Sequence, residues 1–357
     1  MTDKRVTLST IASLTGVNAS TVSRALNPRT SHLVEGRLCA RILSVCDELG
    51  YRPGLLGRSF ATGRTYKIGF ISGHLQGDLS SPLLAQLLAG LTERLQAQNY
   101  SLTLLPYSAG QGRDSLRQLL MSDVADAYLL GVSMLDEQTR EILLNSRRLV
   151  LTLGTHNLRE QDAFSSLILD DLPAYQQVWR MLPRSWWQRV LFVGEACVST
   201  EYKLATMRRA AGVCNLNGSE IPARILPSPC VHFTLNRHRA MLYGEEHWRE
   251  LAQYRLLWCA SDLTALGLAD ALTRRGLRLG EDFCLLGQDN LESLYGLNYQ
   301  PLLTSVDPQM YEAGVQTAEL LLQQLNTDQA ANRLQKIKLP SRLIFRQSLP
   351  EHLNPEM

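Results

Sequence analysis

The chain has 357 residues, 45% of them hydrophobic and 20% charged, with a net charge of +2. That length allows two or three units with real interiors, and the composition excludes a disordered or fibrous chain. No apolar run reaches bilayer-spanning length and the N-terminus, MTDKRVTLS, lacks a hydrophobic signal core, so the expectation is a cytoplasmic protein with no membrane partner. Seven cysteines are widely spaced with no Cys-x-x-Cys, which argues for reduced thiols over a disulfide frame or a zinc site. Charge is uneven: residues 1–64 hold nine basic side chains against four acidic ones, so the remainder is mildly acidic. A basic head on an acidic body is the footprint of a nucleic-acid reader joined to something else.

The first elements predicted are two short helices across Thr7–Asn27, TLSTIASLTGVNASTVSRALN. Leu8, Ile11, Ala12 and Leu14 give one apolar face, Gly16 sits at the turn, and Asn18 can cap a second helix from Ala19 to Leu26. The outer side of that second helix carries Ala19, Ser20, Ser23 and Arg24. Small residues let a helix backbone come close to a major-groove floor, where an arginine can fork onto guanine O6 and N7. By pattern alone, a two-helix piece of a larger bundle stays open as the alternative. A third helix through Leu38, Ile42, Val45, Cys46 and Leu49 ends at Gly50.

From Tyr66 onward short aliphatic runs alternate with helical stretches. YKIGFI, SLTLLP, AYLLGV and RLVLTL come first, then RVLFVG, LLWCAS and DFCLLGQD. Helices are expected at Leu83–Gln98, Asp114–Met121, around Ala205–Val213, at Leu263–Arg275 and at Pro308–Leu325. Such alternation means parallel sheets covered by helices on both faces, and its length suggests two lobes, with PLLTSVD, LQKIKL and RLIFRQS crossing back between them. No catalytic constellation emerges: there is no G-x-S-x-G, no H-E-x-x-H and no phosphate-binding G-x-x-x-x-G-K, and His232, His238 and His247 are too irregularly spaced for a metal site. Neither an enzyme nor a cofactor is expected.

In residue order, TLSTIA (7–12), GV (16–17), TVSRALN (21–27), ELGYRP (48–53), RS (58–59), TGRT (62–65) and KIGFI (67–71) resemble the LacI/GalR family of transcription repressors. Weaker matches continue to the C-terminus. The resemblance implies an all-α helix-turn-helix headpiece at 1–49, a hinge at 50–65 and an α/β core at 66–357 of two doubly wound parallel-sheet lobes, like periplasmic binding proteins. The lobes are expected at about 66–165 with 292–326, and about 166–291 with 327–357. It also implies a homodimer on a pseudo-palindromic operator in double-stranded DNA. Ala19, Ser20 and Arg24 would read bases, while Thr7, Asn18, Thr21, Ser23 and Asn27 would meet the phosphate backbone. In the hinge, Phe60 stands where the family has a Leu that wedges into the minor groove. Leu56 would meet its symmetry mate, and Gly57 would allow close approach.

The same resemblance places a small-molecule effector, sugar-like, against Ser81, Pro82 and Leu84 from one lobe and Lys203, Ser261, Asp262 and Asp289 from the other. Three departures from the sugar-binding pattern stand out: Lys203 where Arg is usual, Ser261 for Asn, and Gly154 where Asp is frequent. Lys keeps the charge but loses the planar fork. A fourth departure is Glu35-Gly36 where Ser or Thr usually caps the third helix, a change worth about 1 kcal/mol. A periplasmic-type binder without a DNA role and a ligand-independent regulator are the alternatives.

Overall fold

The computed structural model describes residues 6–27, 30–51, 62–72, 81–107, 113–131, 136–154, 162–227, 235–293, 300–327 and 334–354. The hinge residues Leu56, Gly57 and Phe60 lie outside them. Two compact units result, Met1–Thr65 and Tyr66–Met357.

Among the described residues the first unit holds three α-helices, α1 (Leu8–Thr15), α2 (Ala19–Leu26) and α3 (Gly36–Glu48), with a 3-10 turn at Ser31–Leu33. Ile11, Ala12, Val22, Ala25, Ile42 and Cys46 make its small core. One expected core residue turns out otherwise: Leu14 is 53% exposed, and Thr15 is buried in its place with its hydroxyl donating to the Ile11 carbonyl at 2.7 Å. That bond offsets the desolvation of a polar side chain placed inside. Glu35 at the start of α3 makes no side-chain capping bond, as its chemistry predicts.

Among the described residues the second unit holds two six-stranded sheets. The first lobe contains β1 (Lys67–Ser72), α4 (Pro82–Ala97), β2 (Ser101–Pro106), α5 (Arg113–Met121), β3 (Ala127–Gly131), α6 (Glu137–Asn145), β4 (Val150–Gly154) and β5 (Ser165–Asp170). The chain then enters the second lobe with α7 (Leu172–Met181), β6 (Val190–Glu195), α8 (Val198–Ala211), β7 (Ala223–Leu226), α9 (Asn236–Leu251), β8 (Leu256–Cys259), α10 (Asp262–Arg274), β9 (Cys284–Gln288) and β10 (Thr304–Asp307). It returns through α11 (Met310–Asn326) and β11 (Lys336–Pro340) and crosses once more into β12 (Arg342–Ile344). Strand order is β11-β5-β4-β3-β1-β2 in one sheet and β12-β10-β9-β8-β6-β7 in the other, with only β12 antiparallel to its neighbour.

The expected lobe boundaries need correction. β5 pairs with β4 and β11, so residues 165–170 and 336–340 belong to the first lobe, while β10 pairs with β9 and belongs to the second. Ladder pairing decides this: each of these strands finds its backbone partners only in that sheet. Each sheet carries a hydrophobic cluster on both faces, which explains strands such as Leu256–Cys259 that are buried along their whole length. Helices α4 and α11 meet at backbone distance through Gly90 and Gly314. A Cβ on Gly90 would collide with the Tyr311 carbonyl, and one on Gly314 with that of Leu87. No described helix is long and apolar enough to cross a membrane.

Candidate functional site

In the first unit, α1 opens with a reciprocal box: Thr10 N donates to Thr7 Oγ1 at 3.3 Å, and Thr7 N to Thr10 Oγ1 at 3.2 Å. Gly16, at φ 73°, ends the helix in the left-handed region that glycine enters without strain. Asn18 then caps α2. Its Oδ1 accepts from Thr21 N at 2.8 Å, Thr21 Oγ1 at 2.9 Å and Ser20 Oγ at 2.7 Å. Those bonds fix the start of α2 with its free N–H groups and positive dipole end turned outward, a suitable place for a phosphate. Ser20 and Arg24 are exposed; Ala19 is half-buried, packed on the small core. Thr21, Ser23 and Asn27 are half-buried, and the Asn27 carbonyl accepts from Thr30 N and Ser31 N at 2.9 Å each. Apart from Thr7, which caps α1, the sequence-predicted contact residues described here thus fall on one short helix and its caps, where several also hold the turn together.

In the second unit, acidic side chains gather at the carboxyl ends of five strands: Asp171 after β5, Glu195 on β6, Asp262 beyond β8, Asp289 after β9 and Asp307 on β10. The crevice outside strand carboxyl ends is where open α/β sheets take ligands. Lys203, from α8, is the cation in their midst. Its Nζ donates to the Ala260 carbonyl at 2.7 Å and to Asp289 Oδ1 at 3.3 Å. Burial alone would push this ammonium down, but the Asp289 and Asp171 carboxylates outweigh burial and hold its pKa above the usual lysine value. Burial in turn raises Asp289, with Lys203 opposing the rise.

Asp289 is aimed at Lys203 by a strained turn. Asp289 (φ 98°) and Asn290 (φ 52°) are consecutive positive-φ residues without being glycine, each costing on the order of 1–3 kcal/mol. Asp289 N donates to the Val306 carbonyl at 2.8 Å, Asn290 N to Ser305 Oγ at 3.0 Å and Leu291 N to Asp262 Oδ2 at 2.5 Å, and together these hold it. Asp262 is therefore a brace. It is 0% exposed, also accepts from Ser305 Oγ at 2.7 Å, and fills space that only Gly287 leaves open. Burial pushes its carboxyl up to about 8.

Three of the expected effector residues serve the fold. Asp262 has no face toward a crevice because both oxygens serve the fold. Ser261 is 8% exposed and its hydroxyl caps α10, accepting from Thr264 N at 3.2 Å. Leu84 is buried in the first-lobe core, since α4 turns that face onto the sheet. Ser81 and Pro82 start α4 and remain half-buried, with no capping bond from the Ser81 side chain.

The lobe crossings carry residues that sequence reading missed. Asp171, at the first crossing, accepts from Ser341 Oγ at 2.5 Å, which lies at the third, and from Gln288 Nε2 at 3.2 Å. Tyr175 donates to Gln288 Oε1 at 2.9 Å. Gln309, at the second crossing with φ 56°, donates its Nε2 to the Pro340 carbonyl at 2.5 Å. All three crossings are thereby laced by side chains. Asp-Leu-Pro at 171–173 was the available signal, a helix start with Pro in its first turn. No cluster that could hold a metal occurs among the described residues.

Residues 198–349 match the family of periplasmic binding protein-like domains. The transcriptional regulator AglR of Rhizobium meliloti (strain 1021) is 26% identical over 89% of this chain and 87% of its own length. Catabolite control protein A of Priestia megaterium is 24% identical over 96% and 99%. Over nearly its whole length the chain is thus similar to transcriptional regulators, the PurR repressor of Actinobacillus pleuropneumoniae serotype 3 (strain JL03) among them at 23% identity over 96% of this chain and 98% of its own length. In structure, the lac repressor dimer bound to operator and the anti-inducer ONPF superposes with TM-score 0.77 at 20% identity, over 97% of this chain and 100% of that one. The regulator CelR in its cellobiose complex gives 0.65 at 21% identity, over 96% and 100%. These LacI/GalR relatives are transcriptional regulators and not enzymes, as the missing catalytic constellation led one to expect.

Proposed function

We propose that this chain is a repressor of the LacI/GalR type, a sequence-specific DNA-binding protein that sits as a homodimer on a pseudo-palindromic operator and is switched by a small molecule between its lobes. The observation that carries the reading is the capped α1–turn–α2 unit, with Ser20 and Arg24 exposed on one face of a strongly basic segment. Ala19, Ser20 and Arg24 read bases; the capped start of α2, with Thr7, Asn18, Thr21, Ser23 and Asn27, positions it on phosphates. Leu56, Gly57 and Phe60 form the hinge that enters the minor groove. Arg24→Ala is expected to cost about 1–3 kcal/mol of operator affinity and to relax preference at one base position. Unchanged affinity and preference in a binding titration would refute the assignment.

Lys203 and Asp289 are the effector contacts that the geometry favours, with Ser81 and Pro82 on the facing lobe. The relatives in complexes hold cellobiose and ribose, and a hydroxyl-rich neutral effector suits a crevice whose cation is already neutralised by a carboxylate. A ligand-independent regulator is the second reading. It draws support from the same contact, because Lys203 already spends its ammonium on Ala260 and Asp289. Thermal-shift titration against sugars, sugar phosphates and nucleobases separates the two: a shift that Lys203→Met abolishes supports sensing, and no shift with any of them supports the second.

A further inference from the structure

Two non-glycine residues at positive φ in the second unit are tied to one carboxylate. Asp307, the last residue of β10, is half-buried, and its two oxygens serve different elements. Oδ1 accepts from Gln309 N at 2.7 Å, because the intervening Pro308 has no N–H to offer. Oδ2 accepts from Asn290 Nδ2 at 3.0 Å. Gln309 (φ 56°) stands at the second lobe crossing, and Asn290 (φ 52°) follows Asp289 in the turn that aims it at Lys203. Such residues stay at positive φ only where their surroundings over-determine them.

Neither residue is held by Asp307 alone. Asn290 N donates to Ser305 Oγ at 3.0 Å, and its Oδ1 accepts from Arg346 Nη2 at 2.6 Å. Arg346 is itself fixed, donating Nη1 to the Leu303 carbonyl at 2.7 Å. Gln309 Nε2 reaches the Pro340 carbonyl at 2.5 Å, and the next residue, Ser341, meets Asp171 at the first crossing. Gln288, on the other side of Asp289, donates to that same Asp171 oxygen. The segment 288–290 is thereby bonded toward all three crossings, with Lys203 held at its middle residue. A helix cap would need less: Gln309 is the residue that precedes α11, and the Asn290 bond adds nothing to the start of that helix.

We propose that Asp307 is a positioning residue for effector sensing: it joins the Asp289–Asn290 turn and the second crossing into one mechanical unit, so that whatever draws Asp289 away from Lys203 also loosens Gln309. The inference rests on the reading of Lys203 and Asp289 as effector contacts. The link requires Asn290 to donate and Asp307 to accept. Asp307→Asn leaves one acceptor for two donors, and Asn290→Asp sets two carboxylates face to face. The double variant N290D/D307N reverses the bond and restores it, with the new carboxylate still able to accept from Arg346.

The test is hydrogen exchange on the full chain, read at the amides of Gln309 and Ala313, which donates to the Gln309 carbonyl at 2.8 Å, with β3 as the internal reference for global opening. Two perturbations are made at the site, Lys203→Met and Asp289→Asn. Each is expected to speed exchange at the crossing about tenfold relative to β3. That response should disappear in the D307N background and return in N290D/D307N, a dependence that a simple cap would not show. Exchange at the crossing unmoved by both site variants, moved equally with and without D307N, or not restored by the double variant would each overturn the proposal. Neither effector nor DNA enters this experiment, so its failure leaves the sensing reading to the thermal-shift titration, and a silent titration removes the effector without touching the link.

Discussion

The N-terminal unit and the lobe junction solve opposite problems. The former buries six hydrophobic side chains and leaves most of its polar groups outside; the latter buries Asp171, Glu195, Asp262, Asp289 and Glu292, with one oxygen each of Asp171 and Glu292 lacking a hydrogen-bond partner among the described residues. A surface that grips a highly charged polymer needs exposed donors on a pre-set frame. The proposed switching would need polar contacts at the junction that can be exchanged, which closely packed aliphatic side chains do not offer. The difference teaches where this protein is sensitive: outward-facing changes alter binding alone, inward-facing ones alter the fold first.

The largest expected effect tests the junction. Lys203→Met leaves Asp289 buried without its cation and is expected to cost about 3–5 kcal/mol of core stability. Calorimetry should show the core transition falling while the melting of residues 1–65 stays in place; an unchanged core transition would show that Asp289 is solvated by other means. Next comes the small core of the first unit, where Ile42→Ala is expected to cost about 2–5 kcal/mol. A unit with so few buried groups should then be largely unfolded, so duplex binding should vanish while the core melts normally. Gly314→Ala sharpens the contrast within the core. It forces α4 and α11 apart at a cost of about 1–3 kcal/mol, read as a lowered core melting temperature with no change in the first unit.

A pH measurement comes next. Because burial raises the Asp262 carboxyl to about 8 in the folded chain, the folded state binds this proton more tightly than the unfolded state does. Stability from this group is therefore full below the ordinary aspartate range and is lost as pH rises through the window up to about 8. Asp171 and Asp289, also raised by burial, act with the same sign. Asp262→Asn should flatten the decline of core stability between pH 5 and 8, whereas parallel curves for parent and variant would sink this assignment. The smallest expected effect is a gain: Glu35→Ser supplies the cap α3 lacks and should stabilise residues 1–65 by about 1 kcal/mol, seen as a raised melting temperature of that unit.

Local signals were legible in the sequence. Gly16 at a left-handed turn, Asn18 as a cap, Glu35 as a poor one and the β-α alternation all rest on residues within a few positions of one another. Long-range features were not. β5, α6, α7, β7 and α9 were not anticipated: β5 is a short aliphatic run whose Asp-Leu-Pro boundary was passed over, and α9 is too rich in charge to show a clean apolar stripe. The pairing of β5 with β11 joins residues about 170 positions apart, and no periodicity encodes it. The same holds at the site. Lys203 and Asp289 were identifiable from the family pattern, but that Asp262 braces Leu291 and Ser305, with Gly287 making room, depends on three strands meeting.

Duplex selection from a random pool is the most direct test of the central claim, that two copies of a basic three-helix unit read symmetric DNA. Purified full chain should enrich one pseudo-palindrome over several rounds at moderate salt, and Arg24→Ala should blur a single position in each half-site. Recovery of no sequence above the starting pool, with or without candidate sugars present, would contradict it.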